Sequence, residues 1–159
     1  MTPDELPLWE RALIAAYRWR RVDPVPVTRL GRPVKECRVA LVTTAGLVPP
    51  GEAPFDLARL GGDTSFRILH VTVPPADLRV VHRSTAFDRP AVERDVNVAY
   101  PIEPLGALAA AGVVGSVAPR HLSFMGSITA PGRLQRETAV AAADVLVADA
   151  VDIALLAPV

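Results

Sequence analysis

Cysteine is the scarcest reactive group in this 159-residue chain; there is one, Cys37. A single thiol excludes an internal disulfide and any Cys-rich metal site. Neither sign of charge dominates, since 17 basic residues balance 17 acidic ones. That balance removes any global electrostatic case for nucleic acid. The basic group Arg18, Arg20 and Arg21 reads as a solvated helix end rather than a phosphate reader. No apolar run approaches the roughly 20 residues of a membrane span. The opening MTPDELPLWE is acidic, where a signal peptide is basic and then apolar. Three common motifs are also missing. There is no G-x-G-x-x-G after the first strand, no G-x-x-x-x-G-K-[ST] and no G-x-S-x-G. These absences argue against a dinucleotide site, a phosphate-binding loop of that type and an α/β-hydrolase. The class expected is a cytoplasmic protein that binds neither nucleic acid nor membrane.

What is present is apolar. Half the residues are hydrophobic, enough for a real core in one domain. Residues 1–36 read as an N-terminal helix and a Pro-rich connector, with Leu6, Trp9, Leu13 and Tyr17 at helical spacing. Thr2-Pro3-Asp4-Glu5 fits a capping box there. Residues 37–159 read as an α/β domain, a three-layer αβα arrangement around a largely parallel sheet that is incomplete at its C-terminal side. CRVALVTTAG is the first core strand, followed by a long Pro- and Gly-rich loop, LVPPGEAPFDLARLGGDTSF. FRILHVTV and LRVVHRS are short strands around a Pro-Pro turn, and a helix runs from about Pro104 to Ala111, stopped by Gly112. VVGSVA is a further buried strand with PRHLSFMGS as the loop beyond it. A helix spans about Ala130 to Ala150, with Leu134, Ala141, Val145 and Ala148 on one face. The apolar run VDIALLAPV reads as a strand buried on both faces.

In open α/β sheets the ligand crevice lies beyond the carboxyl ends of the strands. That rule gathers Thr43, Thr44 and Gly46, then His121, Ser123 and Gly126, and the end of the last strand at Val159. Cys37 precedes the first strand and belongs at the opposite edge, as a small buried residue. The densest polar group is His82, Asp88, Asp95 and Asn97. A histidine near carboxylates suits acid–base work. The competing reading, favoured by the residues alone, has Asp88 and Asp95 capping turns and His82 on an edge strand. His82, Asp88 and His121 have no familiar metal-ligand spacing, so no metal is expected.

Four stretches go further. RVALVTTAGLVPPGEAPFD, GDTSFR, the run from His82 to Ser127 and VDIALLAPV together resemble the glycine/sarcosine/betaine and D-proline reductases, at their selenoprotein component B. The resemblance spans roughly residues 38–159 and rests on His-x5-Asp-x6-Asp-x-Asn together with Ser-Phe-Met-Gly. It implies reductive cleavage of a carbon–nitrogen bond in an amino acid or betaine-like small molecule by a selenolate or thiolate. It implies His82, Asp88, Asp95 and His121 as catalytic candidates, and Thr43, Thr44, Gly46, Asn97, Ser123 and Gly126 as substrate-binding ones. The selenocysteine is expected directly after Val159, through a UGA codon, so this chain carries no cofactor of its own. A pyruvoyl group is expected in a partner subunit, alongside other reductase subunits. With its covering elements absent, the last strand is expected to leave an apolar edge near residues 151–159 and to drive homo-oligomers. The alternative is a non-catalytic binding or assembly module on the reductase scaffold.

Overall fold

A computed structural model describes residues 7–16 and 23–159. The expected capping box at Thr2–Glu5, Leu6, Tyr17, the side chain of Leu13 and the Arg18, Arg20, Arg21 group lie outside the described residues. Helix α1 (Leu8–Ala16) and a 3-10 turn at Val34–Glu36 precede the sheet. On α1, Leu8 and Trp9 are exposed rather than packed on the core.

The fold is α/β around a largely parallel sheet. Its centre is β1 (Arg38–Thr43), whose run of Val, Ala and Leu suits a strand covered on both faces. β1 pairs in parallel with β5 (Ser116–Val117), β6 (Arg120–Phe124) and β7 (Ile153–Ala157). Val39 and Val42 each face β7, and across the strand they face Val117 and Leu122. β5 and β6 therefore lie end to end along one side of β1, with β7 on the other. β3 (Phe66–His70) closes the far edge, antiparallel to β6.

The break between β5 and β6 has a simple cause. Pro119 sits in it and has no N–H to give to the ladder. PRHLSFMGS was expected to be a loop beyond the strand; instead Arg120–Phe124 is the long strand, and VVGSVA contributes only Ser116 and Val117. The polar residues of Arg-His-Leu-Ser-Phe hide a strand in which Arg120 and His121 find partners inside the protein. A second correction concerns the long loop after β1. It contains β2 (Leu47–Val48), paired antiparallel with β4 (Arg79–Val80), a small ribbon that pulls the loop onto the core.

Helices cover both faces. His121 meets Tyr100, which lies between α2 (Arg89–Arg94) and α3 (Ile102–Ala110). Arg120, pointing the opposite way, meets the end of α4 (Ala139–Ala148), which a π-helical turn (Leu134–Thr138) precedes. The main core packs Leu41, Leu69, Val92, Tyr100 and Leu105 on the first face. On the expected α4 face, Leu134 and Val145 are partly buried, Ala141 and Ala148 are exposed, and Ala142 is the buried contact. β7 is the edge strand. Leu155 is 47% exposed and Leu156 68%, so within this chain the run is bare on both faces rather than buried.

Two charged contacts tie the approach to β7 to β1 and the end of α4 to β6. Arg38 N–H donates to Asp152 Oδ2 at 2.8 Å. Arg120 forks onto the Asp149 carboxylate, Nε–Oδ2 2.8 Å and Nη2–Oδ1 2.7 Å, and this contact holds Asp149 below the usual carboxylate range. Arg120→Ala is expected to destabilise the fold, because Asp149 would lose the fork that holds its charge. Urea unfolding at neutral pH checks this. Arg120→Lys is expected to recover only part of the loss, since an ammonium cannot form both bonds.

Candidate functional site

The carboxyl ends of β1, β6 and β7 meet at Thr44. Its hydroxyl accepts from Val159 N–H at 3.0 Å and lies 3.3 Å from Val159 O, and its own N–H donates to Ala157 O. The end of β7 is therefore stitched to the turn after β1. Gly46 N–H donates to Phe124 O at 2.8 Å, and Gly46 O accepts from Val81 N–H at 2.8 Å, so this turn also ties β6 to the residue before His82.

Gly126 runs between Thr44 and His82. A side chain there would put its Cβ 3.0 Å from Thr44 O and 3.1 Å from His82 Nε2, and its φ of +70° independently favours glycine. The Gly in Ser-Phe-Met-Gly is thus required by close approach. His82 is 6% exposed; its ring stacks on Phe87 at 4.2 Å and its Nδ1 accepts from Ser84 N–H at 3.1 Å. That bond puts the proton of the neutral ring on Nε2, which is buried and makes no hydrogen bond. Burial lowers the pKa of His82. At neutral pH the ring is an Nε2–H donor held against Thr44 and Gly126.

Of the expected residues, the structure gathers Thr43, Thr44, Gly46, His82, Ser123 and Gly126 at this junction. Thr43 and Ser123 are register partners on β1 and β6, and both are fully buried. Ser123 Oγ makes no hydrogen bond. The junction is close-packed, because the β2–β4 ribbon and the His82–Phe87 stack sit on it. Its open surface is Thr44, Gly126 and Val159.

The other candidates lie elsewhere. His121 is in the middle of β6, fully buried. Its Nδ1 accepts from Leu41 N–H at 2.9 Å, and its ring meets Tyr100 edge-on at 5.6 Å. Asp88 caps α2 by accepting from Ala91 N–H at 3.1 Å, and Asp95 accepts from Asn97 N–H at 2.9 Å. Asn97 in turn donates to Glu103 Oε2 at 2.8 Å, joining that turn to α3. These are the turn-capping roles weighed for the two aspartates. Asp95 and Asn97 also line a cavity of about 500 Å³ with Glu93, Arg94 and Glu103. Among the described residues no group of three or more His, Cys, Asp or Glu is placed to hold a metal ion. Cys37 is at the opposite end of β1, fully buried, with its thiol 3.3 Å from Pro33 O and its pKa raised by burial.

Sequence reasoning singled out neither Phe87 nor Tyr100, the rings that orient the two histidines. Only Phe87, five residues after His82, was close enough to be a signal. It also passed over a cavity of about 320 Å³ lined by Arg59, Thr64, Phe66 and Arg133, residues that no motif links.

Comparison with known proteins agrees with the resemblance. Residues 8–158 match the family model for glycine/sarcosine/betaine reductase selenoprotein B. Over 136 residues the chain is 34% identical to the D-proline reductase subunit gamma of Acetoanaerobium sticklandii, covering 85% of this chain and 54% of that protein. The chain spans about half the length of the curated relative it matches. No solved structure matches significantly.

The buried imidazole of His121 makes stability depend on pH. Burial lowers its pKa from 6.5 to about 4. A base depressed in the folded state gives its full stabilisation above pH 6.5 and loses it as pH falls toward about 4. The loss is about 3 kcal/mol, measurable as an acid limb in unfolding experiments between those pH values. His121→Leu is expected to cost about 2 kcal/mol at pH 7.5, because the Leu41 N–H loses its acceptor. The gap between variant and parent is expected to narrow at pH 5. A parallel acid limb in the variant would assign the effect to other groups.

Proposed function

The chain belongs to the glycine/sarcosine/betaine reductase selenoprotein B family, and from that premise we propose that it is the substrate-facing half of a subunit that cleaves a carbon–nitrogen bond reductively. The substrate in this reading is a small amino acid or betaine-like molecule. D-proline is one case, by likeness to the relative's name. The subunit works with other reductase subunits, one of which carries a pyruvoyl group that holds the substrate amine. The observation that supports the reading most is the position of thiols. The one cysteine in the sequence, Cys37, is sealed at the wrong end of the sheet, while the carboxyl ends of three parallel strands converge on Thr44.

The nucleophile in this proposal is a selenol or thiol directly after Val159. When present, it supplies the electron pair that forms a bond to the substrate carbon as the amine departs with the bonding pair and a proton. Val159 is held by Thr44, which Gly126 approaches closely, and that position supports this role. The low pKa of such a group is favoured where a helix N-terminus follows the strand. This chain's own residues fix the approach. The Thr44 hydroxyl holds the backbone of Val159, and Gly126 lets Thr44 and His82 approach closely. In this proposal the neutral Nε2–H of His82 gives a hydrogen bond to the leaving amine, whose proton comes from solvent. The other candidates serve these three: Thr43, Gly46 and Ser123 build the junction, while Asp88, Asp95, Asn97 and His121 hold its supports.

The homo-oligomer belongs to the same reading. Leu155 and Leu156 face outward on opposite sides of an edge strand, a surface that pairs readily with another strand. Taken alone, the 159-residue chain is expected to associate through β7. Light scattering of the chain and of Leu156→Lys checks this, the variant shifting toward monomer.

The central test uses the native gene in selenium-supplied cells. The expected product extends past Val159, contains selenium by mass spectrometry and loses reductase activity on alkylation. In that full-length protein, His82→Phe is expected to lower turnover by on the order of tenfold, the size of one lost hydrogen bond. A reading frame without selenocysteine or cysteine in the residues after Val159 would overturn the proposal.

A further inference from the structure

We propose that the cavity between the Arg59 loop and the start of the last helical segment is a seat for a small oxyanion, a carboxylate or a phosphate. The cavity is about 320 Å³ and is lined by Arg59, Thr64, Ser65, Phe66, Arg133 and Thr138, with Glu137 and Ala141. That size lies within the range of small-molecule sites.

The charge balance favours an anion. Two guanidinium groups face one carboxylate, and Glu137 is already engaged by Arg133 Nε at 3.0 Å, which leaves the terminal nitrogens of that arginine. Among the described residues Arg59 has no acidic partner for its guanidinium. Its carbonyl is the part that is engaged, accepting from Arg83 Nη1 at 3.0 Å and from Gly62 N–H at 3.1 Å. A planar fork with no carboxylate beside it is the geometry that takes an oxyanion in two bonds.

Thr64 is an independent observation. It is 95% buried by its 5% exposure, lines the cavity, and its hydroxyl makes no hydrogen bond within the protein. The neighbouring Ser65 is spent: its hydroxyl donates to Asp63 Oδ1 at 2.7 Å and accepts from Arg67 Nη1 at 3.0 Å. A threonine that is almost wholly buried, with its hydroxyl open to the cavity beside two arginines, is the kind of group a ligand engages.

The site is also built rather than incidental. Arg59 and Arg133 are far apart in sequence, and a backbone clamp between them sets their separation. Thr129 N–H and Ala130 N–H both donate to Gly61 O, at 2.9 and 3.0 Å. Gly61 has a φ of +80°, and a Cβ there would lie 2.5 Å from that of Ala130, so the two segments touch backbone to backbone. Asp63 stiffens the loop from the other side, accepting from Asp56 N–H and Ser65 N–H, both at 2.9 Å. The floor is the sheet itself. Phe66 opens β3 opposite Phe124, at the carboxyl end of β6, where α/β folds bind ligands. The proposal rests on this cavity alone and stands or falls apart from the reductase reading.

The test is titration of the 159-residue chain with sodium acetate and, separately, with inorganic phosphate, at low ionic strength against a chloride control, followed by amide chemical shifts. Saturable shifts at residues 59–66 and 128–138 are expected. Saturation by acetate alone identifies a carboxylate ligand, by phosphate alone a phosphate ester, and by both a general oxyanion seat. Arg59→Ala and Arg133→Ala are each expected to weaken binding on the order of tenfold, and Thr64→Val by a smaller factor. Arg59→Lys is expected to retain part of the affinity, and Arg29→Ala, in the connector, all of it. Circular dichroism of the variants separates lost binding from lost fold; both arginine side chains reach solvent, so the fold is expected to survive. No saturation by either anion, or equal weakening in Arg29→Ala, overturns the proposal.

Discussion

One hydrogen bond, from Leu41 N–H to His121 Nδ1, completes the sheet on which everything else is built. Pro119 breaks the strand beside β1 into β5 and β6, and the break leaves an amide of the central strand facing no carbonyl. The imidazole fills the gap in place of backbone. Leaving that amide unmade inside a dry core would cost a substantial part of a domain's net stability. The bond also dictates the tautomer of His121, its neutrality and its edge contact with Tyr100, which carries the α2–α3 layer. A histidine that a functional reading selects for proton transfer is, in this geometry, part of the ladder.

His82 is constructed by the same logic but with a different outcome. Each histidine has its Nδ1 occupied by a backbone N–H and its Nε2 without a protein partner. His121 spends that arrangement on the interior of a strand. His82 spends it at the meeting point of β1, β6 and β7, against a glycine and a threonine whose hydroxyl holds the end of the chain's last strand. Position in the fold, rather than residue type, separates the histidine inside a strand from the one at the strand ends.

Much of this was legible in the sequence. The α/β class, the core strand Arg38–Thr43, the glycine stop of α3, the far-edge placement of Cys37 and the gathering of Thr44 with Gly126 all follow from periodicity and the strand-end rule. β6 was not legible, because its partners are side chains from distant segments and its pattern alternates charge with bulk. β2 was hidden by the prolines around it, a two-residue strand too short for periodicity to register. The bare β7 is the apolar edge expected near residues 151–159, although its apolar run shows only that a strand suits burial, not what covers it. Nor could spacing show that Asp88, Asp95 and Asn97 would be used up locally, since the capping of a turn and the chemistry of a site draw on the same residue types.

The two polar features at the carboxyl edge divide along the sheet in a way that follows from its register. β6 carries Phe124 at its end, and that residue is shared: its carbonyl accepts from Gly46, on the Thr44 side, and its backbone pairs with Phe66, which floors the arginine-lined cavity. A strand end that bonds to both sides fixes each feature relative to the other without any direct contact between them. The junction at Thr44 is tight and neutral, suited to orienting a reacting group. The cavity at Arg59 and Arg133 is wider and positive, suited to holding charge. Keeping these two features apart lets Arg59 and Arg133 stay solvated while the His82 ring stays dry. A buried imidazole next to two guanidinium groups would be harder still to protonate, and a desolvated arginine without a partner would cost the fold more than it could return.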